Sequence, residues 1–218
     1  MYGTPHIVSD VMTQTVAAVG RRAPFKEIVH MMQDWQVSAL PVIEGEGRVV
    51  GVVSEADLLP KEELRDDPDA GPLQRHQPGV EAKAAALTAG DLMSSPAVTV
   101  RAAATLAEAA RIMAREGVKR LPVVDEAGLL AGVVSRADLL KVFLRDDEDI
   151  AEEVRRDIAS YLFPPPSSSV QVEVHDGVVT LTGRVRDTAV VPVAARLVRA
   201  VEGVVDVGFD FAPDSRTQ

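Results

Sequence analysis

Two tetrapeptides, Ser54-Glu55-Ala56-Asp57 and Ser135-Arg136-Ala137-Asp138, each set a serine three residues ahead of an aspartate. Each follows an apolar run rich in β-branched residues (49–53 and 129–134) and precedes a leucine pair, so each falls at a strand-to-helix junction. The free N–H groups and positive dipole end of a helix suit a phosphate, and the serine hydroxyl adds a donor. The aspartate one turn on is acceptor-only, which suits a ribose diol. The same spacing is also a capping-box variant that stabilises a helix with no ligand present. The two roles are compatible, and both stay open.

Lys119 and Arg120 stand directly before Leu121-Pro122, whereas Ser38 and Ala39 stand before Leu40-Pro41. An arginine fork and a lysine point charge can pair with phosphate, or the two can simply be a solvated strand end. Nothing in the chain points to catalysis. Cysteine is absent, which removes thiolate nucleophiles and Cys-ligated metals, and His6, His30, His76 and His175 lie far apart in sequence. Gly45-x-Gly47-x-x-x-Gly51 loosely matches a dinucleotide loop, but a strand follows it where a helix is required. No Walker A, G-x-S-x-G or H-E-x-x-H pattern is present.

The elements that position these residues come as a repeat. Residues 8–59 align with residues 89–140 at a constant offset of 81 without a gap. The identities include Asp10/Asp91, Met12/Met93, Leu40-Pro41-Val42/Leu121-Pro122-Val123, Gly47/Gly128 and the stretch 51–54/132–135. Each copy reads as β-α-β-β-α. A first strand (16–19; 97–100) leads to a helix with Phe25, Ile28, Val29 and Met32 on one face, matched by Leu106, Ala109, Ala110 and Met113. A hairpin (39–43 with 49–53; 121–124 with 129–134) and a last helix follow. One copy is too small to bury a core alone, so the two should pack as a unit. Trp35 aligns with Glu116, which places it at a surface or dimer interface rather than in the core.

The order D-[VL]-M, L-P-V-[IV]-[ED] and G-x-x-x-G-V-V-S-x-A-D-L-L, occurring twice, resembles a tandem pair of cystathionine-β-synthase (CBS) domains over roughly residues 7–145. The resemblance implies binding of an adenosine-containing ligand in clefts between the paired domains, and dimerisation into a disc. In that family the Ser-x-x-Asp pattern contacts phosphate and ribose, and the position before Leu-Pro faces the phosphates. The expected ligand-binding residues are therefore Ser135, Asp138, Lys119 and Arg120 at a phosphate-binding site. Ser54, Asp57 and Ser38 form a second site for a neutral nucleoside head or nothing. Val16, Val98 and Thr99 lie near adenine, though each also reads as an ordinary core-strand residue. The ligand would be AMP, ADP, ATP or S-adenosylmethionine, with no required cofactor and no metal.

Residues 60–80 are polar and rich in proline, and read as an exposed connector; residues 81–86 suggest a short helix leading to Asp91. The acids of 145–149 suit a linker at a helix N-terminus better than a metal cluster. Beyond them Ile150, Val154, Ile158 and Leu162 make an amphipathic stripe. Val170, Val172 and Val174 alternate along a strand, Asp176-Gly177 is a hairpin turn, and Val179, Leu181 and Val185 mark a second strand. A helix starting near Val191, because of Pro192, carries Ala194, Leu197, Val198 and Val201; a last strand carries Val205, Val207, Phe209 and Phe211. V-H-D-G-V-V-T-L-T-G-R-V and V-R-A-V-E-G-V-V-D-V resemble the BON domain over residues 149–212, with PPPSSS (164–169) as its internal loop. That resemblance implies phospholipid or envelope association. The charge argues against electrostatic lipid binding: Arg184, Arg186, Arg196 and Arg199 are the only candidate basic group there and read as isolated solvated arginines, and a protein partner is at least as suitable.

The whole is therefore expected to be α+β: a pseudo-symmetric pair of β-α-β-β-α CBS domains and a small α-β-β-α-β BON domain, divided at 1–80, 81–147 and 148–218. The 218 residues carry a net charge of −10, with no cationic platform for nucleic acid. With no signal peptide and no spanning apolar run, a cytoplasmic location is expected. The functional expectation is a non-enzymatic, homodimeric sensor of an adenine nucleotide whose BON domain couples to a partner. The alternative is a ligand-independent dimeric scaffold or an envelope or membrane tether.

Overall fold

β-branched residues alternating with small ones, punctuated by glycine turns, build three small sheets rather than one large one. A computed structural model describes residues 6–63, 80–165 and 169–212. It comprises two compact units: Ile7–Arg136, and Ala137 onward together with His6.

The first unit contains both copies of the repeat. Copy one runs α1 (Val8–Val11), β1 (Val19–Gly20), α2 (Phe25–Asp34), β2 (Ala39–Glu44), β3 (Arg48–Ser54), α3 (Glu55–Leu58) and α4 (Pro60–Glu63). After α5 (Val80–Ala85), copy two runs α6 (Ala89–Leu92), β4 (Val100–Arg101), α7 (Leu106–Arg115), β5 (Arg120–Val124), β6 (Leu130–Ser135) and α8 (Arg136–Leu139). In each sheet the short first strand pairs parallel to the second, which pairs antiparallel to the third; β2 sets Pro41 against Val52, and β5 sets Pro122 against Val133. Ile28, Met32, Leu40, Val42 and Val53 are buried in one copy, and Met113, Leu121, Val123 and Val134 in the other. Ala110, expected in the core, is exposed, while Ala109 beside it is fully buried. Trp35 is 47% exposed at the end of α2.

Each copy is completed by the other. The Val8 and Ser9 N–H groups donate to the Ala104 and Ala102 carbonyls (2.8 and 2.9 Å), while those of Ala89 and Gly90 donate to Ala23 and Arg21 (2.9 and 2.8 Å). The exchange recurs where Thr13 and Val133 trade backbone hydrogen bonds (2.9 and 2.9 Å), and where Val52 and Ser94 do the same (3.1 and 2.9 Å). The first strands expected at 16–19 and 97–100 are consequently two residues each, because the chain ahead of them is committed to the opposite copy. Two glycines permit this approach. A Cβ on Gly51 would lie 2.4 Å from Met93 Sδ, and one on Gly132 would lie 2.7 Å from Met12 Sδ.

The second unit continues from α8 through a 3-10 turn (Leu140–Leu144) to α9 (Asp147–Val154), a π turn (Arg155–Ala159) and α10 (Ser160–Leu162). Then come β7 (Ser169–His175), β8 (Val178–Arg184), a 3-10 turn (Thr188–Val190), α11 (Val191–Arg199) and β9 (Asp206–Ala212). β8 is central, antiparallel to β7 and parallel to β9, with α11 as the crossover. Ile150, Val154 and Ile158 recur every fourth residue and are all buried. An α-helix overshoots a four-residue step by about 40°, and the wider π turn absorbs that drift. Asp176 and Gly177 both take positive φ (49° and 74°) in the hairpin turn, and their N–H groups donate to the Asp147 carboxylate at 2.8 Å each. The acids of 147–149 fall in the first turn of α9. Pro192 sits in the first turn of α11, where its missing N–H costs nothing. Val205, expected in the last strand, precedes β9 and is 62% exposed. Among the described residues no helix is long and apolar enough to cross a membrane.

Candidate functional site

Ala39 opens β2 directly after Ser38, Ser54 closes β3, and Arg120 opens β5 directly after Lys119. Because Val52 exchanges hydrogen bonds with Ser94, the segment 94–98 of copy two runs beside the strands of copy one. Between them is a cavity of about 400 Å³ within the first unit. Its polar lining comprises Ser38, Ser54, Glu55, Asp57, Ser94, Lys119 and Arg120; Pro41, Val52, Ala97, Val98, Pro122 and Val133 are among the apolar residues that line it. Lys119 is exposed and Arg120 half-buried, and neither side chain enters an ion pair among the described residues.

Lys119 and Arg120 of copy two line this cavity together with Ser54 and Asp57 of copy one, while Arg120 also stands opposite Ser135 in the sheet of its own copy. Val16, Thr99 and Ser135 do not line this cavity; Val98 does. Asp138 belongs to the second compact unit, where Lys141 Nζ donates to its Oδ1 at 2.7 Å.

The Ser-x-x-Asp motif of copy one is a closed helix cap. Asp57 Oδ2 accepts hydrogen bonds from the Ser54 N–H (2.8 Å) and the Ser54 hydroxyl (2.7 Å). The helix it caps is a single turn of four residues, too short for the dipole contribution expected from sequence. Asp57 is 7% exposed, the one buried charged residue among those described. Its Oδ1 accepts from Lys83 Nζ, on α5. Sequence reasoning missed Ser94 and two further participants. Glu55 was passed over between the two motif residues, and Lys83 gave no signal beyond the rule that a buried carboxylate needs a counter-charge.

The arrangement suits binding of an amphipathic anion: an apolar wall for a planar group, two cations for negative charge, and hydroxyls between.

The sequence profile of the CBS domain matches residues 8–61 and 89–145, and that of the BON domain matches residues 146–211. An uncharacterized protein of Methanocaldococcus jannaschii is 26% identical over 154 residues, covering 63% of this chain and 91% of that protein. The chloroplastic CBS domain-containing protein CBSX2 of Arabidopsis thaliana is 29% identical over 157 residues, 64% of this chain and 64% of CBSX2. A crystal structure of CBSX2 in complex with AMP superposes with a TM-score of 0.56 at 30% identity, covering 64% of this chain and 97% of that one. The repeat, its exchanged segments and these matches agree: the chain belongs to the CBS-domain family, as a tandem CBS pair followed by a BON domain.

Proposed function

We propose that the chain is a non-enzymatic regulatory sensor that binds an adenine nucleotide, or a related adenosyl ligand, in the cavity of the CBS pair. The carrying observation is the convergence of Lys119 and Arg120, without ion-pair partners among the described residues, on a cavity that also has an apolar lining. Adenine buries its faces against Pro41, Val98 and Pro122; phosphate meets the two cations and Ser38; the ribose diol meets Asp57. CBSX2, similar over the same region, was crystallised with AMP, which supports the choice of ligand class. Binding favours one arrangement of the pair, or of a homodimer, and the BON domain passes that shift to a partner in the cytoplasm. A protein partner suits the exposed arginines 184, 186, 196 and 199 better than a phospholipid surface does, since they carry little excess over the surrounding acids.

The test is a thermal-shift panel of AMP, ADP, ATP, S-adenosylmethionine and GTP on the full chain. A ligand at about 100 times its dissociation constant adds about 2.7 kcal/mol and raises the midpoint by a few degrees. An adenine-selective rise is expected. The closed Ser54–Asp57 cap favours a second reading, a ligand-independent scaffold or tether, because it satisfies the motif without a ligand. No rise with any compound at millimolar concentration would leave that reading standing alone.

A further inference from the structure

The connector between the two CBS copies holds the carboxylate on which that reading places the ribose. Both lone pairs of Asp57 Oδ2 are engaged, by the Ser54 N–H and the Ser54 hydroxyl, leaving Oδ1 as the acceptor for an incoming diol. Lys83 Nζ of α5 already takes one lone pair of Oδ1, and the carboxylate is nearly closed to solvent, so an incoming diol competes with Lys83 for that oxygen. Asp57 is almost wholly buried, and such a carboxylate needs donors on both oxygens, a place that Lys83 fills from within the chain and that diol hydroxyls can fill in its stead.

We propose that Lys83 is a built-in competitor of the ligand: the ribose diol displaces its ammonium from Asp57, and occupancy of the cavity is thereby coupled to loosening of α5 at that end. The proposal rests on the adenosyl reading of the cavity. α5 has a second tie that the ligand does not touch. Lys61 Nζ donates to the Ala84 carbonyl at 2.8 Å and lies over the Phe25 ring, 5.2 Å from its centroid. Removing Lys83 alone therefore isolates the competition and leaves the helix attached. Coupling of this kind is reciprocal: the factor by which Lys83 weakens the ligand is the factor by which the ligand weakens the Lys83 tie.

The experiment titrates AMP calorimetrically into the full wild-type chain, Lys83→Ala and Lys83→Gln, and follows amide exchange over residues 82–86 with and without AMP. The expected result is that Lys83→Ala binds AMP about five-fold tighter, as a partly exposed ion pair allows, with Lys83→Gln shifted the same way. AMP should also speed exchange in α5 of the wild type and leave the variants unchanged. If the wild type binds AMP but both variants bind equally or more weakly, Lys83 is no competitor and the adenosyl reading survives. If none of the three proteins binds AMP, the adenosyl reading fails and carries this proposal down with it. Lys83→Gln keeps the test decisive should Lys83→Ala fold poorly.

Discussion

In copy one Gly51 lies against Met93, and in copy two Gly132 lies against Met12; the two contacts are related by the same 81-residue offset as the sequences. Across the cavity the copies part company, with Ser38 and Ala39 facing it from one and Lys119 and Arg120 from the other. Residues that hold the copies together are pinned in both, because each glycine leaves no room for another side chain. Residues that face the cavity touch no such constraint and are free to differ in charge. Pseudo-symmetry therefore governs the scaffold and reaches the cavity wall in Pro41/Pro122 and Val52/Val133, but breaks where Ser38 and Ala39 stand against Lys119 and Arg120, so the cavity draws its cations from copy two alone.

The sharpest way to break the comparison is to add a methyl group at each glycine. At Gly132 a Cβ would lie 2.9 Å from the Thr13 carbonyl oxygen, and backbone held by two hydrogen bonds cannot move aside. At Gly51 the three nearest atoms all belong to the Met93 side chain, which can rotate. Gly132→Ala is expected to cost about 3 kcal/mol and Gly51→Ala about 1–2 kcal/mol in urea unfolding. Equal losses would show that the two contacts are mechanically alike.

A second experiment sharpens the divergence in charge. Removing both cations with Lys119→Ala and Arg120→Ala should weaken AMP binding about 30-fold, roughly 2 kcal/mol. Ser38→Ala should weaken it about two-fold. Isothermal titration that returned the opposite order would move the phosphate to the copy-one side.

The smallest effect concerns the leading segments. Asp91 accepts from the Thr88 hydroxyl (2.7 Å) and the Thr88 N–H (3.0 Å), whereas Asp10 accepts from the Ile7 N–H (2.9 Å) with no hydroxyl to add. The Thr88 hydroxyl, then the N–H groups of Thr88 and Leu87, hold the Asp91 carboxyl below its ordinary value of 3.8. A depressed carboxyl stabilises the fold above the unfolded value, and that contribution disappears as pH falls through the lower, folded value. Thr88→Val should raise the Asp91 midpoint toward the ordinary value in a carboxyl NMR titration over about pH 2 to 5. An unchanged midpoint would acquit the hydroxyl.

Much of the architecture was legible in the repeat, since identities at fixed spacing carried strand, turn and helix signals twice over. Ser54 and Asp57 were legible as a pair through their spacing, and Lys119 and Arg120 through their mismatch with Ser38 and Ala39. What brought the four together was not legible. The exchange of leading segments rests on backbone hydrogen bonds such as Thr13 with Val133, to which any side chain is indifferent. The sequence groups Lys119 and Arg120 with Ser135, and the sheet does set Arg120 opposite it, but the cavity they line also takes in Ser54 and Asp57 of the other copy. Lys83 was invisible for another reason. Its partner is 26 residues away in sequence, and its role exists only because Asp57 is buried, a property the fold confers. In the second unit, the every-fourth stripe from Ile150 was visible, but the π turn that keeps it facing inward was not.

That π turn also records how the gene can change. It holds one residue more than a continuous α-helix requires over the same stretch, so loss of a single codon within 155–159 would leave an unbroken helix. Because the wide turn sweeps with five residues about what an α turn sweeps with four, everything downstream would keep nearly its present orientation. Phe163, buried and packed 5.5 Å from Phe211, would keep its place in the core. Such a deletion escapes both hydrogen-bond accounting and the packing beyond the turn, which makes this the position where a one-residue gap in an alignment of BON domains would leave the fold intact.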